Sequence, residues 1–403
     1  MGKTGGRQDM RETYGQALAD FPESITDKVR TPCYIVSTGA IKRNLEILDS
    51  VQTRTGAKIL LALKAYAMWS TFPLIRKYLH GVCASGPIEA RLGREEFGGE
   101  VHTFSPAYSE EGMEEVIRYS DRIIFNSIYQ WKKYRGRIRK ANEAGRRIEA
   151  GLRVNPGHSE VKVKLYDPAG KGSRLGIRSE DLEGEDLEGV SGLHFHALCE
   201  QDADVLVRVL ESFEKRFGKY VRRMKWVNFG GGHHITRKGY DVELLCRTIT
   251  GFRKRYGVEV YLEPGEAVVL NAGVLVASVL DIVKNGAEIA ILDTSAETHM
   301  PDVLAMPYRP NVIGAGRPGE FRHAYRLGGI SCLAGDVIGE YSFESPLRRG
   351  ERLVFLDMAL YSFVKNTTFN GIGLPSLAVY EPESGKLRSV RKFGYDDYKT
   401  RLS

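Results

Sequence analysis

The hydrophobic pattern between residues 58 and 263 alternates between two kinds of segment. Short apolar runs rich in β-branched and aromatic residues predict strands. These runs are KILLAL (58–63), GVCA (81–84), VHTF (101–104), RIIF (122–125), IEAGLRV (148–154), SGLHF (191–195), KWVNF (225–229) and VEVYLE (258–263). Amphipathic segments between them predict helices, among them residues 87–97, 109–120, 202–217 and 241–256. Eight such β–α units predict a (β/α)₈ TIM barrel, with residues 156–189 as an extended loop.

The pattern changes after about residue 270. Here β-prone runs (273–285, 287–295, 352–362 and 375–382) follow one another across Gly/Pro turns, without amphipathic helices between them. This is typical of a mostly β domain. An earlier strand, TPCYIVS (31–37), could belong to either unit, and we assign it to the β domain. The sequence thus predicts an α/β protein with a barrel at 38–270 and a β domain built from 1–37 and 271–403.

Composition narrows the class of protein. Hydrophobic residues make up 42% and charged residues 27% of the chain, as in ordinary globular proteins, which excludes a disordered chain. The amino terminus has no apolar core of a signal peptide and no stretch is long enough to span a membrane. Five widely spaced cysteines without a C-x-x-C pair argue against a disulfide framework or a zinc site. We therefore expect a cytoplasmic protein that does not bind a membrane.

The net charge of +7 comes from one segment. Residues 132–147, KKYRGRIRKANEAGRR, hold eight Lys or Arg and one Glu and so account for all of it. A solvated outer helix is the favoured interpretation, with a basic docking surface as the alternative. Because no nucleic-acid-binding motif accompanies the segment, we expect no nucleic acid partner.

Candidate chemistry lies at the carboxyl ends of the predicted barrel strands, where barrels place their active sites. Lys64 follows the first strand, and its partly desolvated amine is a candidate Schiff-base nucleophile. Gly230, Gly231 and Gly232 follow the seventh strand, where backbone N–H groups can approach a phosphate. Glu263 ends the eighth strand and needs a partner, either a barrel arginine such as Arg153 or a protonated ring nitrogen.

Histidines near the sixth and seventh strands leave two interpretations. His194 and His196 point to the same side of their strand, and with Glu200, His233 and His234 they could ligate a metal. A metal site would leave Lys64 and the glycines without a role. An amine, an anion cradle, a buried carboxylate and an aromatic face are together what a pyridoxal phosphate site requires. We therefore predict this cofactor and no metal.

Several motifs carry a resemblance to a known family. They are A-L-K-A (62–65), F-H (195–196), F-G-G-G (229–232), E-P-G (263–265), G-G-I-S-C-L-A-G-D (328–336) and T-T-F-N-G (367–371). Together they resemble the fold type III pyridoxal phosphate decarboxylases, which have an alanine racemase-like fold and include ornithine and diaminopimelate decarboxylases. Longer stretches, such as HFHALCEQ, WVNFGGGHHIT and HMPDVLAMPYRP, look like the carboxynorspermidine decarboxylases within this family. The resemblance covers residues 31–380.

The resemblance implies a homodimer with active sites shared between its subunits. It implies that Lys64 holds the cofactor through a Schiff base, that His196 stacks on the ring and that Glu263 faces the pyridine nitrogen. The glycines at 230–232 would cradle the phosphate, with Tyr361 near it, and Arg153 is a further candidate for cofactor binding. Cys332 of the partner chain would return a proton to the α-carbon after carbon dioxide leaves.

Three positions depart from the ornithine decarboxylase pattern. Glu266 stands where a phosphate-binding arginine is expected, and Leu333 replaces an acid after Cys332. The F-H motif continues as Ala-Leu-Cys-Glu, without the phosphate-binding serine that the related decarboxylases often have two or three residues on. These changes fit a long carboxylated triamine, so the implied reactions are carboxynorspermidine to norspermidine and carboxyspermidine to spermidine. The candidate substrate-binding carboxylates are Asp336, Asp302, Glu297, Glu200 and Asp293, of which we favour the first two.

Other functions of the same fold remain open at this point. Arg309 could bind a distal carboxylate, which keeps diaminopimelate as an alternative substrate. A non-catalytic regulatory relative is a second alternative, although such proteins lose cofactor residues that this chain retains. An amino-acid racemase is a third, and the decarboxylase-like motif around Cys332 argues against it.

Overall fold

A computed structural model describes residues 15–403. The chain divides into two compact units. Arg43–Val268 form one unit, and the chain up to Lys42 together with Val269–Ser403 forms the other. We describe each unit by itself and call them the barrel unit and the sheet unit.

Parallel strands close a barrel in the first unit. The first strand of the described chain, β1 (Cys33–Ser37), belongs to the sheet unit. The next eight form the closed barrel: β2 (Lys58–Ala62), β3 (Gly81–Ala84), β4 (Glu100–Phe104), β5 (Arg122–Phe125), β6 (Glu149–Arg153), β7 (Val190–His194), β8 (Trp226–Asn228) and β9 (Glu259–Leu262). Pairing of β2 with β9 completes the circle. Each strand overlaps a predicted apolar run, so the predicted barrel is confirmed.

Helices surround the strands where the amphipathic pattern predicts them. Their bounds are Thr38–Thr55, Phe72–Ile75, Pro87–Leu92, Glu110–Tyr119, Ile128–Glu143, Ala203–Val221, Val242–Tyr256 and Glu266–Val269. The helix predicted over 87–97 is interrupted, since Pro87–Leu92 passes into a π-helical turn at Gly93–Phe97. At Gly93 a Cβ would lie 2.4 Å from Val82 Cγ2, so this turn packs too closely on β3 for a side chain. Residues 156–189 hold only short 3₁₀ turns, at Lys164–Tyr166 and Ser179–Leu182.

An ionic cluster occupies the amino-terminal end of the barrel. Its centre is Arg122, whose side chain is 11% exposed. The Arg122 guanidinium pairs with Glu100 and with Glu149, the latter at 3.1 Å. It also lies over the ring of Tyr261, with 4.7 Å between its Cζ and the ring centroid. The charges at this end of the barrel thus compensate one another. We infer that these residues stabilise the fold and take no part in the chemistry.

The basic segment 132–147, predicted as an outer helix, lies in the helix Ile128–Glu143 as far as residue 143, and residues 144–147 lie beyond its end. Its apolar side chains, among them Trp131 and Ile138, are buried. Its cations pair with nearby acids: Lys132 with Glu185, Lys133 and Arg137 with Glu110, Arg135 with Asp186, and Arg139 with Glu143. Because these charges are largely compensated, the structure favours a solvated outer face over a docking surface.

The sheet unit is built on one large twisted sheet. Within residues 15–403 its strands after β1 are β10 (Gly273–Asn285), β11 (Ala287–Leu292), β12 (Ala315–Gly316), β13 (His323–Gly328), β14 (Val337–Phe343), β15 (Arg352–Leu356), β16 (Ser376–Glu381) and β17 (Lys386–Arg391). The order is β12-β14-β13-β11-β10-β1-β16-β17, and β15 also pairs with β10. Strand β1 thus joins this sheet between β10 and β16.

The central strands of this sheet are apolar on both faces. Tyr34 and Leu275 point into one apolar cluster, whereas their chain neighbours Ile35, Val274 and Val276 point into another. Because alternate residues of a strand face opposite sides, a strand covered on both sides reads as one continuous apolar run. This explains the sequence pattern of residues 31–37 and of the first half of β10. The unit also contains helical residues 15–20 and the short helices Glu23–Thr26, Ala296–His299, Asp302–Ala305 and Tyr395–Lys399.

Within the part of the chain that the structure describes, no helix is both long and apolar enough to cross a membrane.

Candidate active site

Lys64 lies two residues beyond the end of β2, at the carboxyl end of the barrel. Its side chain is exposed and makes no hydrogen bond or ion pair with residues 15–403. Its positive charge lowers the pKa values of both His196 and Glu89, so these two side chains lie near it. The predicted nucleophile is therefore an unpaired amine at the mouth of the barrel, and the prediction that it is partly desolvated is wrong, because its side chain is exposed.

Glu89 is a site residue that the sequence analysis missed. It lies in the helix Pro87–Leu92 after β3, and its Oε2 accepts the Ser85 N–H at 2.6 Å. Burial raises the pKa of this carboxyl, against the opposing effects of the Ser85 hydrogen bonds and of Lys64. The available signal was an acid that closely follows the end of a barrel strand.

The carboxylate of Glu263 is held by donors from neighbouring barrel strands. Asn228 at the end of β8 donates its Nδ2–H to Glu263 Oε1 at 2.7 Å. The Nε2 of His194 lies 3.3 Å from Oε2, without hydrogen-bond alignment. Burial would raise the pKa of Glu263, but His194, together with the hydrogen bond from Asn228, lowers this pKa to about 2. Glu263 is thus a buried anion at neutral pH. The side chain beside its Oε2 is His194, whose own pKa is lowered by burial, and not Arg153.

The three glycines after β8 are required by close approach to the neighbouring backbone. Gly230 and Gly232 have φ of +71° and +82°, and a Cβ at Gly232 would lie 2.0 Å from the Leu198 carbonyl oxygen. The N–H of Gly230 donates to Asn228 Oδ1 at 2.8 Å, and that of Gly231 donates to His196 Nδ1 at 2.9 Å. Of the three, only the Gly232 N–H lacks an acceptor within residues 15–403. The cradle therefore offers an anion fewer N–H groups than its sequence suggests.

His196 presents a neutral ring beside this turn. Because its Nδ1 accepts a hydrogen bond from Gly231, this nitrogen carries no proton. Burial, with the charges of Lys64 and Arg153, lowers the pKa of His196 well below its ordinary value. A flat, uncharged imidazole close to Lys64 can stack on an aromatic ring.

Arg153 is buried at the end of β6, and one of its guanidinium nitrogens has no hydrogen-bond partner in the described chain. Its side chain lies over the ring of Phe104, and its Nη2 has no partner in the described chain. Burial lowers the pKa of Arg153 to about 10, so the guanidinium is charged at neutral pH. A buried cationic donor without a partner is costly, which indicates that a ligand completes it.

His233 and His234 do not form a metal site with the other histidines. Both are buried, and burial lowers the pKa of each to about 4. Among residues 15–403, no three His, Cys, Asp or Glu side chains come together in a way that could hold a metal ion.

Cys332 and Tyr361 belong to the sheet unit. Cys332 is exposed in the turn between β13 and β14, and its N–H donates to Asn370 Oδ1 at 2.7 Å. Tyr361 follows β15 and has a positive φ of 51°, a strained conformation for this residue type.

The five candidate substrate-binding carboxylates differ in their partners. Asp302 pairs with Lys365. Asp293 accepts the Ser278 N–H at 2.8 Å, and Asp336 accepts backbone N–H groups on both of its oxygens. Neither Glu297 nor Glu200 has a hydrogen bond or ion pair to its carboxylate within residues 15–403, although the charge of Arg237 acts on Glu200. The two acids favoured from sequence, Asp336 and Asp302, are thus already engaged within the chain.

Comparisons with known proteins show the family. Residues 33–359 match the family model described as pyridoxal-dependent decarboxylase, C-terminal sheet domain. A carboxynorspermidine/carboxyspermidine decarboxylase from Campylobacter jejuni is 47% identical over 93% of this chain and 99% of its own length. A carboxyaminopropylagmatine decarboxylase from Synechocystis is 41% identical over 96% of this chain and 100% of its own.

A solved structure supports the same family assignment. The crystal structure of carboxynorspermidine decarboxylase from Campylobacter jejuni, complexed with norspermidine, superposes with a TM-score of 0.86. It is 46% identical and covers 93% of this chain and 100% of its own. The chain belongs to the pyridoxal-dependent decarboxylases, and pyridoxal phosphate is its cofactor. The predicted class of enzyme, its cofactor and its barrel-plus-sheet fold are confirmed.

The barrel residues fit this cofactor on structural grounds. Lys64 offers an unpaired amine, and Glu263 offers a buried anion to a protonated ring nitrogen. The Nη2 of Arg153 and the N–H of Gly232 lack protein partners among the residues described. The site therefore supplies the charges and donors that a phosphorylated pyridine aldehyde requires.

Proposed function

We propose that this enzyme removes the α-carboxylate of carboxynorspermidine, giving norspermidine, and of carboxyspermidine, giving spermidine. The main support is the 47% identity to the carboxynorspermidine/carboxyspermidine decarboxylase of Campylobacter jejuni, which extends over nearly the whole of both chains. The norspermidine complex of the similar Campylobacter enzyme supports the same class of substrate.

In this proposal the barrel unit holds the cofactor. Bound pyridoxal phosphate supplies an electron-withdrawing ring that stabilises the carbanion left when carbon dioxide departs. Lys64 provides the amine that binds its aldehyde, and His196 lies against the ring. The anionic Glu263 keeps the ring nitrogen protonated. Arg153 and the Gly232 N–H provide donors that nothing in the described chain uses, and Tyr361 is assigned to the phosphate by the resemblance.

The sheet unit would provide the proton for the last step. Cys332 is assigned to protonate the α-carbon in the active site of a second copy of the chain. Exposed apolar side chains support such a homodimer. Ile330, Leu333 and Phe369 flank Cys332 and are each at least 40% exposed, whereas Trp69 and Ile88 after β2 and β3 are 53% and 85% exposed. Surfaces of this kind at the two functional regions are typical of protein interfaces.

Glu297 and Glu200 would receive the distal ammonium groups of the substrate. A carboxylate without a hydrogen bond or ion pair of its own keeps both oxygens for charge-assisted hydrogen bonds to an ammonium group. Asp302 is paired with Lys365, and Asp336 and Asp293 accept backbone N–H groups. The proposal therefore moves the amine contacts from Asp336 and Asp302 to the two glutamates, with cytoplasmic polyamine synthesis as the setting.

Carbon dioxide release by the purified, cofactor-loaded enzyme tests this function. The substrates are carboxynorspermidine, carboxyspermidine, carboxyaminopropylagmatine, meso-diaminopimelate and ornithine, each offered alone. Turnover of the first two, well above the others, supports the proposal. Preference for carboxyaminopropylagmatine would place the chain with the Synechocystis relative, and preference for diaminopimelate would refute an acidic amine pocket. If the enzyme with bound cofactor released no carbon dioxide from any of the five compounds, a non-catalytic role would be favoured.

A further inference from the structure

Two segments of the sheet unit hold the turn that carries Cys332. This turn spans residues 329–336, between β13 and β14. Asp336 ends it and is 5% exposed. The Asp336 Oδ1 accepts the Ala296 N–H at 2.7 Å, and Oδ2 accepts the Ser331 N–H at 3.1 Å. One carboxylate therefore joins the Cys332 turn to the helix Ala296–His299.

Asn370 holds the next peptide group of the same turn. Its Oδ1 accepts the Cys332 N–H at 2.7 Å. Asn370 lies in the turn Phe369–Gly371 with φ of +56°, and Gly371 follows with φ of +72°. The N–H groups of Ser331 and Cys332, which are consecutive in the chain, are thus bound by two different side chains.

We propose that Asp336 and Asn370 are positioning residues that fix the backbone at Ser331 and Cys332 and thereby aim the Cys332 thiol. The inference rests on the proposed function, in which that thiol delivers the final proton. A proton donor must lie within hydrogen-bond reach of its acceptor. The Asn370 bond holds the peptide plane directly before the Cα of Cys332, and the Asp336 bond holds the plane one residue earlier. Release of either plane therefore changes the backbone that carries the thiol.

The surroundings of Asp336 argue against a direct role in substrate binding. Its carboxylate lies beneath Gly329, where a Cβ would be 2.2 Å from Oδ2. The Glu297 N–H also points at Oδ1, at 3.4 Å. A buried carboxylate that already receives backbone N–H groups on both oxygens has little capacity for an ammonium group. The same contacts place Glu297 in the helix that Asp336 ties to the Cys332 turn.

Matched variants at Asn370 give the clearest test. Asn370→Asp keeps the acceptor oxygen and tolerates the positive φ, whereas Asn370→Gly keeps the backbone conformation and removes the acceptor. Asp336→Asn replaces one acceptor by a donor that faces an N–H group. Asp281→Asn, at an exposed ion pair with Arg349, is the control for loss of a surface carboxylate. Thermal unfolding of each variant shows that it folds.

The readouts separate a positioning role from a binding role. With carboxynorspermidine, Asn370→Gly and Asp336→Asn should lower kcat about tenfold or more, with KM changed less than about threefold. A misaimed thiol leaves the decarboxylated carbon unprotonated for longer, so more turnovers should place the proton on the cofactor carbon instead. Water then releases the substrate as an aldehyde, and the amino group remains on the cofactor as pyridoxamine phosphate. Asn370→Asp should restore normal kcat and normal product.

A second readout does not depend on turnover. The rate at which iodoacetamide alkylates Cys332, followed by peptide mass spectrometry, should change at least about twofold in Asn370→Gly and be normal in Asn370→Asp. Unchanged kcat, product ratio and alkylation rate in Asn370→Gly would overturn the inference. So would an Asp336→Asn enzyme that has raised KM with normal kcat and product. If Asp336→Asn does not fold, the comparison of Asn370→Gly with Asn370→Asp alone tests the inference. If the wild-type enzyme decarboxylates no triamine, the proposed function fails, whereas the alkylation rates still report on the turn.

Discussion

Asn228 donates its Nδ2–H to Oε1 of Glu263 over 2.7 Å, so the last residue of β8 orients the carboxylate that follows β9. The side chain of Glu263 is 13% exposed. A buried carboxylate stays ionised only where donors and nearby positive charge compensate its burial. The barrel therefore holds a fixed negative charge here, which we propose faces the ring nitrogen of the cofactor.

The first prediction concerns this charge. Glu263→Gln keeps the size of the side chain but removes the anion, so the ring nitrogen should lose its proton and the cofactor its electron-withdrawing power. We expect kcat to fall at least about a hundredfold and the affinity for pyridoxal phosphate to fall as well. Glu259→Gln, at the opposite end of β9, is the matched control. Normal cofactor affinity and kcat in Glu263→Gln would contradict this role.

The second prediction concerns the amine-binding acids. Glu297→Gln should raise KM for carboxynorspermidine about tenfold to a hundredfold, as expected for loss of one hydrogen bond to a charged group. Its kcat should change less, because the distal amines lie away from the reacting carbon. The exposed Glu344→Gln serves as control. A wild-type KM in Glu297→Gln would remove this residue from the substrate site.

The third prediction concerns the amino-terminal end of the barrel. Arg122→Met should lower the free energy of unfolding by about 3–5 kcal/mol, because it leaves the carboxylates around Arg122 without their buried cation. Urea unfolding at constant pH measures this change. Arg118→Met removes an exposed arginine that pairs with Glu115, and it should cost less than about 1 kcal/mol. Equal costs at the two positions would refute the assignment.

The fourth prediction concerns the pH dependence of stability. Burial lowers the pKa of His299 to about 4. Between its ordinary pKa of about 6.5 and this value, the unfolded chain binds the proton and the folded chain does not. The contribution of His299 to the free energy of unfolding is therefore fully present above about pH 6.5, and it decreases as the pH falls toward 4.

His299→Gln isolates this contribution. The imidazole Nδ1 lies 3.0 Å from Thr294 Oγ1 and its Nε2 lies 3.1 Å from the Gly373 carbonyl oxygen, and a glutamine amide can replace both contacts. Between pH 7.5 and pH 5 the wild-type enzyme should lose about 2 kcal/mol more unfolding free energy than the variant does. Parallel pH profiles would show that His299 does not titrate as its burial implies.

The sequence predicted the barrel well because its strands are covered by helices and read as compact apolar runs. It predicted Lys64, His196 and Glu263 as site residues because each follows a barrel strand at the end where barrels bind their ligands. Their chemical roles remain predictions. The interruption at Gly93 was missed, since the close packing of its backbone on Val82 leaves no mark in the periodicity.

The partners of polar side chains were harder to predict. Asp336 and Asp302 were favoured as amine ligands because a pocket for a triamine needs carboxylates. Whether a carboxylate is available depends on which backbone N–H groups and cations point at it, and those directions arise only in the folded chain. Glu89 was missed although it closely follows a barrel strand, because only the folded barrel brings it near Lys64.

The central claim is that a lysine of one chain and a thiol of another serve the same reaction. The direct measurement is carbon dioxide release from carboxynorspermidine by an equimolar mixture of Lys64→Ala and Cys332→Ala subunits, exchanged under mild denaturant and compared with each variant alone. Half of the mixed population then contains one intact site, so the account predicts recovery of roughly a quarter of wild-type activity. Activity no greater than the average of the two separate variants would contradict the claim.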